Sequence, residues 1–263
     1  MLGAIIGDIA GSRFEFNPTN DYNFELFTKA CDYTDDTICT VAVADALLRG
    51  RDFGESMHDW CNRYPRPTGG YGIRFAEWVH STKPEPYNSF GNGAAMRVSP
   101  VGCWYKSRIE VLDAAAATAM PSHNHPEGIK GAQTVALAIF QARQYKKQEP
   151  FSHISEILNE CVEFSGYDLN ICHNSVVNRF DETCQGTVPV ALWIIGQSKD
   201  FEDAVRRAVS LGADADTLGA IVGSIAEAIW EIPEWMKEKA LGYLTDDMKA
   251  VVKAFQTELY DKE

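Results

Sequence analysis

Almost every long apolar stretch of this chain repeats with the period of an α-helix, and alternating strand patterns joined by hairpin turns are nearly absent. The longest run, residues 128–146, sets Val135, Ala138, Ile139 and Ala142 at i, i+3, i+4, i+7 spacing, which gathers them on one helix face. Residues 38–48 read ICTVAVADALL, with Thr34 placed to cap the start and Gly50 to close the end. Further helices are predicted over 1–10, 54–64 (stopped by Pro65 and Pro67), 109–119, 154–164, 189–195, 201–211, 217–230 and 246–259. The expectation is an all-α fold with many helices. No Pro/Ser-rich linker or low-complexity stretch divides the 263 residues, so one domain over 1–263 is expected, long enough to bury a sizeable core. One faint internal echo, Gly3-Ala4-Ile5-Ile6-Gly7 and Gly219-Ala220-Ile221-Val222-Gly223, reads as close helix packing across small residues rather than as a duplicated half.

Charge and cysteine usage exclude several classes. A net charge of −13 with no basic run argues against binding nucleic acid through its phosphates, so no direct nucleic-acid partner is expected. An anionic substrate would need bound cations to supply positive charge. The seven cysteines are scattered, odd in number and without a CxxC pair, which fits neither a disulfide framework nor a zinc site and suits a reducing cytoplasm. The N-terminal ten residues are apolar but lack a basic leader region and are interrupted by Asp8, so they read as a buried first helix. No apolar stretch approaches the ~20 residues that span a bilayer. A cytoplasmic monomer with no membrane partner is the expectation.

Two short acidic motifs carry the chemistry: Thr34-Asp35-Asp36-Thr37 and Asp214-Ala215-Asp216-Thr217, each at the start of an apolar helical run. Inside a helix, residues i and i+2 point about 200° apart at ~3.6 residues per turn, so Asp214 and Asp216 could not share a ligand there. At a helix start the first residue is still non-helical, and a cap aspartate, a first-turn aspartate and a threonine can face one point. The helix dipole favours ionised carboxylates at that end. A single motif of this kind reads as an ordinary helix cap. Its repetition, with adjacent acids that repel each other unless a cation is present, points to hard oxygen ligands for a pair of Mg²⁺ or Mn²⁺ ions.

The loops hold the remaining candidates. Ser89-Phe90-Gly91-Asn92-Gly93 precedes an apolar segment, and small residues there let backbone N–H groups approach a phosphate; a Gly-Asn-Gly turn also caps a helix with no ligand. Ser122-His123-Asn124-His125 sets two imidazoles two residues apart, with hydrogen bonding to a substrate oxygen favoured over metal ligation. Glu15 follows Arg13, with which it could also pair.

In this order the segments GDIAGSRFEF, TDDT, SFGNGAAMRVSP, SHNHPEGIKGAQ and GADADTLGAIVGSIAEA resemble the ADP-ribosylglycohydrolase family, which includes the dinitrogenase-reductase-activating glycohydrolases and the ADP-ribosylhydrolases. The likeness runs from the first helix to about residue 231. It implies an all-α fold with a dinuclear Mg²⁺ or Mn²⁺ cleft. By the resemblance, Thr34, Asp35, Asp36, Asp214, Asp216 and Thr217 are the metal ligands. Glu15 matches the family's glutamate near the metals and the distal ribose. Ser89, Phe90, Gly91, Asn92 and Gly93 match the loop that cradles diphosphate and ribose, with His123 nearby. The chain departs from the family's GDALG at Ile9-Ala10 and from its GGDTDT at Ala213 and Ala215, without losing a proposed ligand.

The reaction so implied is hydrolysis at the anomeric carbon of ADP-ribose, with Asp35 or Asp36 steering or deprotonating water and Glu15 as the alternative base. The expected substrate is an ADP-ribosylated protein, most simply at arginine, or another ADP-ribose derivative. A non-catalytic binding or structural relative would show missing ligands, and none is missing. A hydrolase of another ADP-ribose linkage or metabolite is the remaining alternative.

Overall fold

The structure is a computed structural model that describes residues 1–145 and 153–262; the last residue of the predicted 128–146 helix lies outside the described residues. Its helices, in chain order, are α1 (Leu2–Gly11), α2 (Asp35–Arg49), α3 (Phe53–Arg63), α4 (Ile73–His80), α5 (Gly93–Met96), α6 (Ser99–Trp104), α7 (Arg108–Ala119) and α8 (Pro126–Gln144). They continue as α9 (Ile154–Ser165), α10 (His173–Val176), α11 (Cys184–Gln197), α12 (Phe201–Ser210), α13 (Ala215–Ile229), α14 (Glu234–Leu241) and α15 (Asp246–Lys262). Among the described residues there is no strand, only an isolated antiparallel bridge between Gly91 and Thr183. The all-α expectation holds. No described helix is long and apolar enough to cross a membrane.

The centre of the molecule is the pair α1 and α13. Every residue of α1 is buried, and in α13 only Glu227 is not. The two helices cross on glycine. A Cβ on Gly7 would collide with the backbone of Gly219, and one on Gly3 with the carbonyl oxygen of Gly223. The sequence echo is therefore a packing device: two rows of glycine let the backbones lie in direct contact. Glu227 closes the far end of the pair, accepting from the N-terminal ammonium at 2.5 Å and from Gly3 N at 2.8 Å. Because Asp8 follows Gly7 and Asp216 precedes Gly219 by one turn, this crossing brings two buried acids to the same end of the pair.

Helix starts follow their caps. Thr34 accepts from Asp36 N, and Gly50 ends α2 with φ +62°. Several starts lie upstream of the predicted ones, and for two of them the cause is visible. Helix α8 begins at Pro126, whose fixed φ suits a first turn, with His125 Nδ1 accepting from Glu127 N at 3.1 Å. Helix α11 begins at Cys184, because Thr183 Oγ1 caps Gly186 N at 3.0 Å, and Pro189 is accommodated inside the helix. Helices α4, α5, α6, α10 and α14 are additional to the predicted set; none exceeds eight residues, too few turns for a periodic signal.

Candidate metal centre and active-site cleft

The acid that organises the site is Asp8, the lone carboxylate in an otherwise apolar helix. It is fully buried. Its Oδ1 accepts from Thr34 Oγ1 at 2.8 Å, and its Oδ2 accepts from Thr34 N and Thr37 N, each at 3.1 Å, and from Thr37 Oγ1. Four donors from the start of α2 thus converge on one side chain of α1. They fix where the first acidic motif stands. Burial pushes the Asp8 carboxyl up to about 6, against the pull of these same hydrogen bonds.

The second motif arrives on α13. Asp36 Oδ2 accepts from Thr34 Oγ1 at 3.3 Å and from Thr217 Oγ1 at 3.2 Å, so one oxygen joins helix starts 181 residues apart. Asp214 is the N-cap of α13 by position, yet its side chain makes no capping bond. Its Oδ2 instead accepts from Asn92 Nδ2 at 2.7 Å, and Asn92 also donates to Thr187 Oγ1 at 3.2 Å. Asp8, Asp36 and Asp216 each present an oxygen within 4.8 Å of the other two. Within this cluster Asp36 Oδ1 and Asp216 Oδ1 are buried and have no hydrogen-bond partner among the described residues.

Like charges in a dry site raise one another. Burial, then Asp8 and Glu15, hold Asp35 well above the usual carboxylate range; burial, then Asp8 and Asp35, do so for Asp36. Asp216 is raised well above it by burial and then by Asp214 and Asp36. Burial also raises Asp214, although the Asn92 bond opposes the shift. Glu15 is pushed up to about 7 by burial, then by Asp214 and Asp8. Two orphaned carboxylate oxygens within this crowd of acids fit divalent cations. An all-oxygen donor set suits hard divalent cations.

These groups open onto a cleft of about 580 Å³, within the range of small-molecule sites. Of the sequence candidates, Glu15, Asp35, Asp36, Ser89, Phe90, Gly91, Asn92, Gly93, His123, Asp214, Asp216 and Thr217 all line it. Thr34 does not: it is fully buried behind Asp36, braced on Asp8. Arg13 does not pair with Glu15; its guanidinium donates to the Glu25 carbonyl at 2.7 Å. Glu15 follows a 3-10 turn, Ser12–Phe14, and is backed by Gly69, whose φ of +78° and whose absent Cβ let the 65–72 loop close against the carboxylate.

The glycine loop is held from the other side of the cleft. Asn92 N donates to Glu182 O at 2.7 Å, and Cys184 N donates to Phe90 O at 2.9 Å. His123 Nε2 would meet a Cβ on Gly93 at 3.0 Å, so glycine is needed for the imidazole to reach the loop. Arg74 and Arg97 line the same cleft. His125 takes no part in the cleft wall; it caps α8 and meets the Phe90 ring edge-on at 5.3 Å between centroids.

Asp8, buried behind the cleft, and the cleft residues Phe16, Arg97, Phe180 and Glu182 escape the sequence reading. Asp8 carried a usable signal, because an acid amid Gly3–Ala10 apolar residues must be buried with partners. Phe180 and Glu182 sit in an irregular loop, where no periodicity reports which side chains face inward.

The whole chain, residues 1–263, matches the family model for ADP-ribosylglycohydrolase. An uncharacterized protein of Archaeoglobus fulgidus is 28% identical, with 90% of this chain and 89% of that protein covered. Human ADP-ribosylhydrolase ARH3 is 23% identical over 95% of this chain and 90% of its own length. ADP-ribosylarginine hydrolase Tri1 of Serratia proteamaculans is 22% identical, covering 88% of this chain and 70% of that protein. A solved structure described as an ADP-ribosylglycohydrolase-related protein complex superposes with a TM-score of 0.71 at 26% identity, over 97% of this chain and 95% of the other. With its buried acids meeting from two helix starts beside a glycine-loop cleft, the chain belongs to the ADP-ribosylglycohydrolase family and is an ADP-ribosyl glycohydrolase.

Proposed function

We propose that the protein removes ADP-ribose from arginine side chains of modified proteins, using two divalent cations held between the starts of α2 and α13. The observation that carries the metal-dependent reading is the pair of buried, unpartnered oxygens Asp36 Oδ1 and Asp216 Oδ1. Asp35, Asp36, Asp214, Asp216 and Thr217 are the ligands we assign on the cleft wall, with Thr34 behind them. Bound there, Mg²⁺ or Mn²⁺ would orient the ribose hydroxyls and lower the pKa of water.

The polarity of the cleft favours one orientation of substrate. Arg74, His123 and the Gly93 N–H line the side of the cleft that suits an anionic diphosphate, and the carboxylates line the side that suits positive charge developing at an anomeric carbon. Thr217 holds Asp36 and Asn92 holds Asp214, so these carboxylates need no reorganisation as charge develops. Glu15 is only half-buried and pairs with no cation among the described residues, and we assign it the proton from the attacking water. Beside divalent charge its carboxyl falls back toward the ordinary range, which leaves the base form available at neutral pH.

Arginine is favoured by the rim next to Glu15. The exposed rings of Phe16 and Phe180 lie 6.5 Å apart between centroids, and the exposed Glu182 follows two residues on. Aromatic faces flanked by Glu15 and Glu182 attract a planar cation and offer little to a neutral serine. The test is release of free ADP-ribose from two protein substrates, one modified on arginine and one on serine. Release from the arginine substrate in Mg²⁺ or Mn²⁺ is expected. Release from the serine substrate alone would overturn the assignment of the acceptor.

A further inference from the structure

Beneath the glycine loop lies a buried cation that the assignments above leave without a task. Arg97 follows α5, is fully buried, and lines the cleft from below. It forms no ion pair among the described residues. Its Nη2 donates to Thr118 O at 3.0 Å and to Ser122 Oγ at 2.9 Å, while Nε and Nη1 are buried without partners. A guanidinium in such a place is costly to bury and is retained where its charge or its donors are used.

Its donors set the protons of the next two groups. Ser122 Oγ, also fully buried, lies 2.8 Å from His123 Nδ1. A guanidinium has five N–H donors and no acceptor, so Ser122 Oγ must accept from Arg97. The serine hydroxyl has one hydrogen left to give. If His123 Nδ1 carried a proton, that hydrogen would face two donors and have nowhere to go, leaving a buried donor unsatisfied. If Nδ1 is bare, the serine hydroxyl is satisfied on both sides: Arg97 donates to Ser122, and Ser122 donates to Nδ1. The proton of the neutral ring then sits on Nε2. That nitrogen lies against Gly91 and Gly93 on the cleft wall and has no hydrogen-bond partner among the described residues. The ring is held between Phe75 and Tyr87, with centroids at 6.3 and 5.9 Å. Burial, and then the nearby Arg97 charge, keep the imidazole neutral.

We propose that Arg97 and Ser122 form a one-way hydrogen-bond relay that fixes His123 as the tautomer protonated at Nε2, making that nitrogen a permanent donor to an oxygen of the bound ADP-ribose. Arg97 and Ser122 are thus positioning residues, acting through His123. The identity of the accepting oxygen rests on the hydrolase reading; the tautomer does not.

The test separates the two. In ¹⁵N-labelled wild-type protein at neutral pH, the ring nitrogens of His123 report which one carries the proton. A bare Nδ1 and a protonated Nε2 are expected without substrate or metal; a protonated Nδ1, or an imidazolium, overturns the relay. Ser122→Ala should mix the tautomers and lower kcat/KM about tenfold, the scale of one hydrogen bond to a charged group, chiefly through KM. Ser122→Thr, which keeps the hydroxyl, should restore both readouts. Unchanged kinetics and tautomer in Ser122→Ala would also overturn it. A protein with the Nε2 proton in place but no ADP-ribose release would support the relay and sink the hydrolase reading.

Discussion

Without divalent cations, the crowded carboxylates should make the protein lose stability as pH rises, against the usual behaviour of acidic groups. Asp8 is the group whose size can be worked. Its carboxyl stands at about 6, against an ordinary value of 3.8, a rise of roughly 2 units or about 3 kcal/mol. A carboxyl raised on folding contributes stability that is fully present below its unfolded pKa and is lost as pH climbs through its folded pKa. The loss from Asp8 therefore falls between about pH 4 and pH 6. Glu15, raised to about 7, carries the same trend higher, with a smaller effect because solvent screens a half-exposed group. Asp35, Asp36, Asp214 and Asp216 are displaced in the same direction. Melting the protein in chelator across about pH 4 to 8 should show Tm falling by roughly 6 °C or more, at ~2 °C per kcal/mol for a chain of this size. Saturating Mn²⁺ should reverse the slope, since the ligands bind only when ionised. A chelated protein whose Tm is flat or rises over this range would refute the electrostatic account of the site.

Five substitutions follow from the same geometry. Gly7→Ala places a methyl on the Gly219 backbone; overpacking should cost ~2 kcal/mol despite the better helix propensity of alanine, and weaken Mn²⁺ affinity, as melting and titration would read. Asp36→Asn should raise Tm in chelator at about pH 8 and abolish the Mn²⁺ response, because it removes one repelling charge and one ligand. Asp8→Asn should cost ~2 kcal/mol or more with or without Mn²⁺, read as a lower Tm, since an amide N–H would then face the donors of Thr34 and Thr37. Phe180→Ala and Glu182→Gln should each raise KM for an arginine-modified substrate by roughly threefold, the worth of an exposed cation–π or ion contact, and leave serine-linked turnover unmoved.

The sequence made the scaffold legible because burial of helix faces writes a period into it. The 3.6-residue repeat of α8 and α13, the Thr34 cap and the Gly50 stop all stand where the pattern predicts. The echo of Gly3–Gly7 in Gly219–Gly223 even foretold a close crossing, though not that the two glycine rows meet each other. The ligand candidates were legible for a different reason: paired acids at helix starts are costly unless something binds them. What stayed hidden is the support behind them. Asp8 reads as an interruption of an apolar helix until its four donors from α2 are seen. Arg97 looks like a helix-end cation and Ser122 like a loop hydroxyl until folding sets Arg97 beside the Ser122–His123 pair. Phe16, Phe180 and Glu182 meet only because the loops around Glu15 and the Gly91–Thr183 bridge draw distant segments to one rim. Such tertiary meetings leave no local period.

The central claim is that the two acidic helix starts hold a pair of cations on which hydrolysis depends. Titrating Mn²⁺ into wild type, Asp36→Ala and Asp216→Ala by calorimetry, with ADP-ribose release followed on the same samples, tests it directly. Two ions bound by the wild-type chain, fewer by each variant, and release lost in step with the lost ion are the predicted result. Variants that bind Mn²⁺ as the wild type does, or wild-type release that persists in chelator, would contradict it.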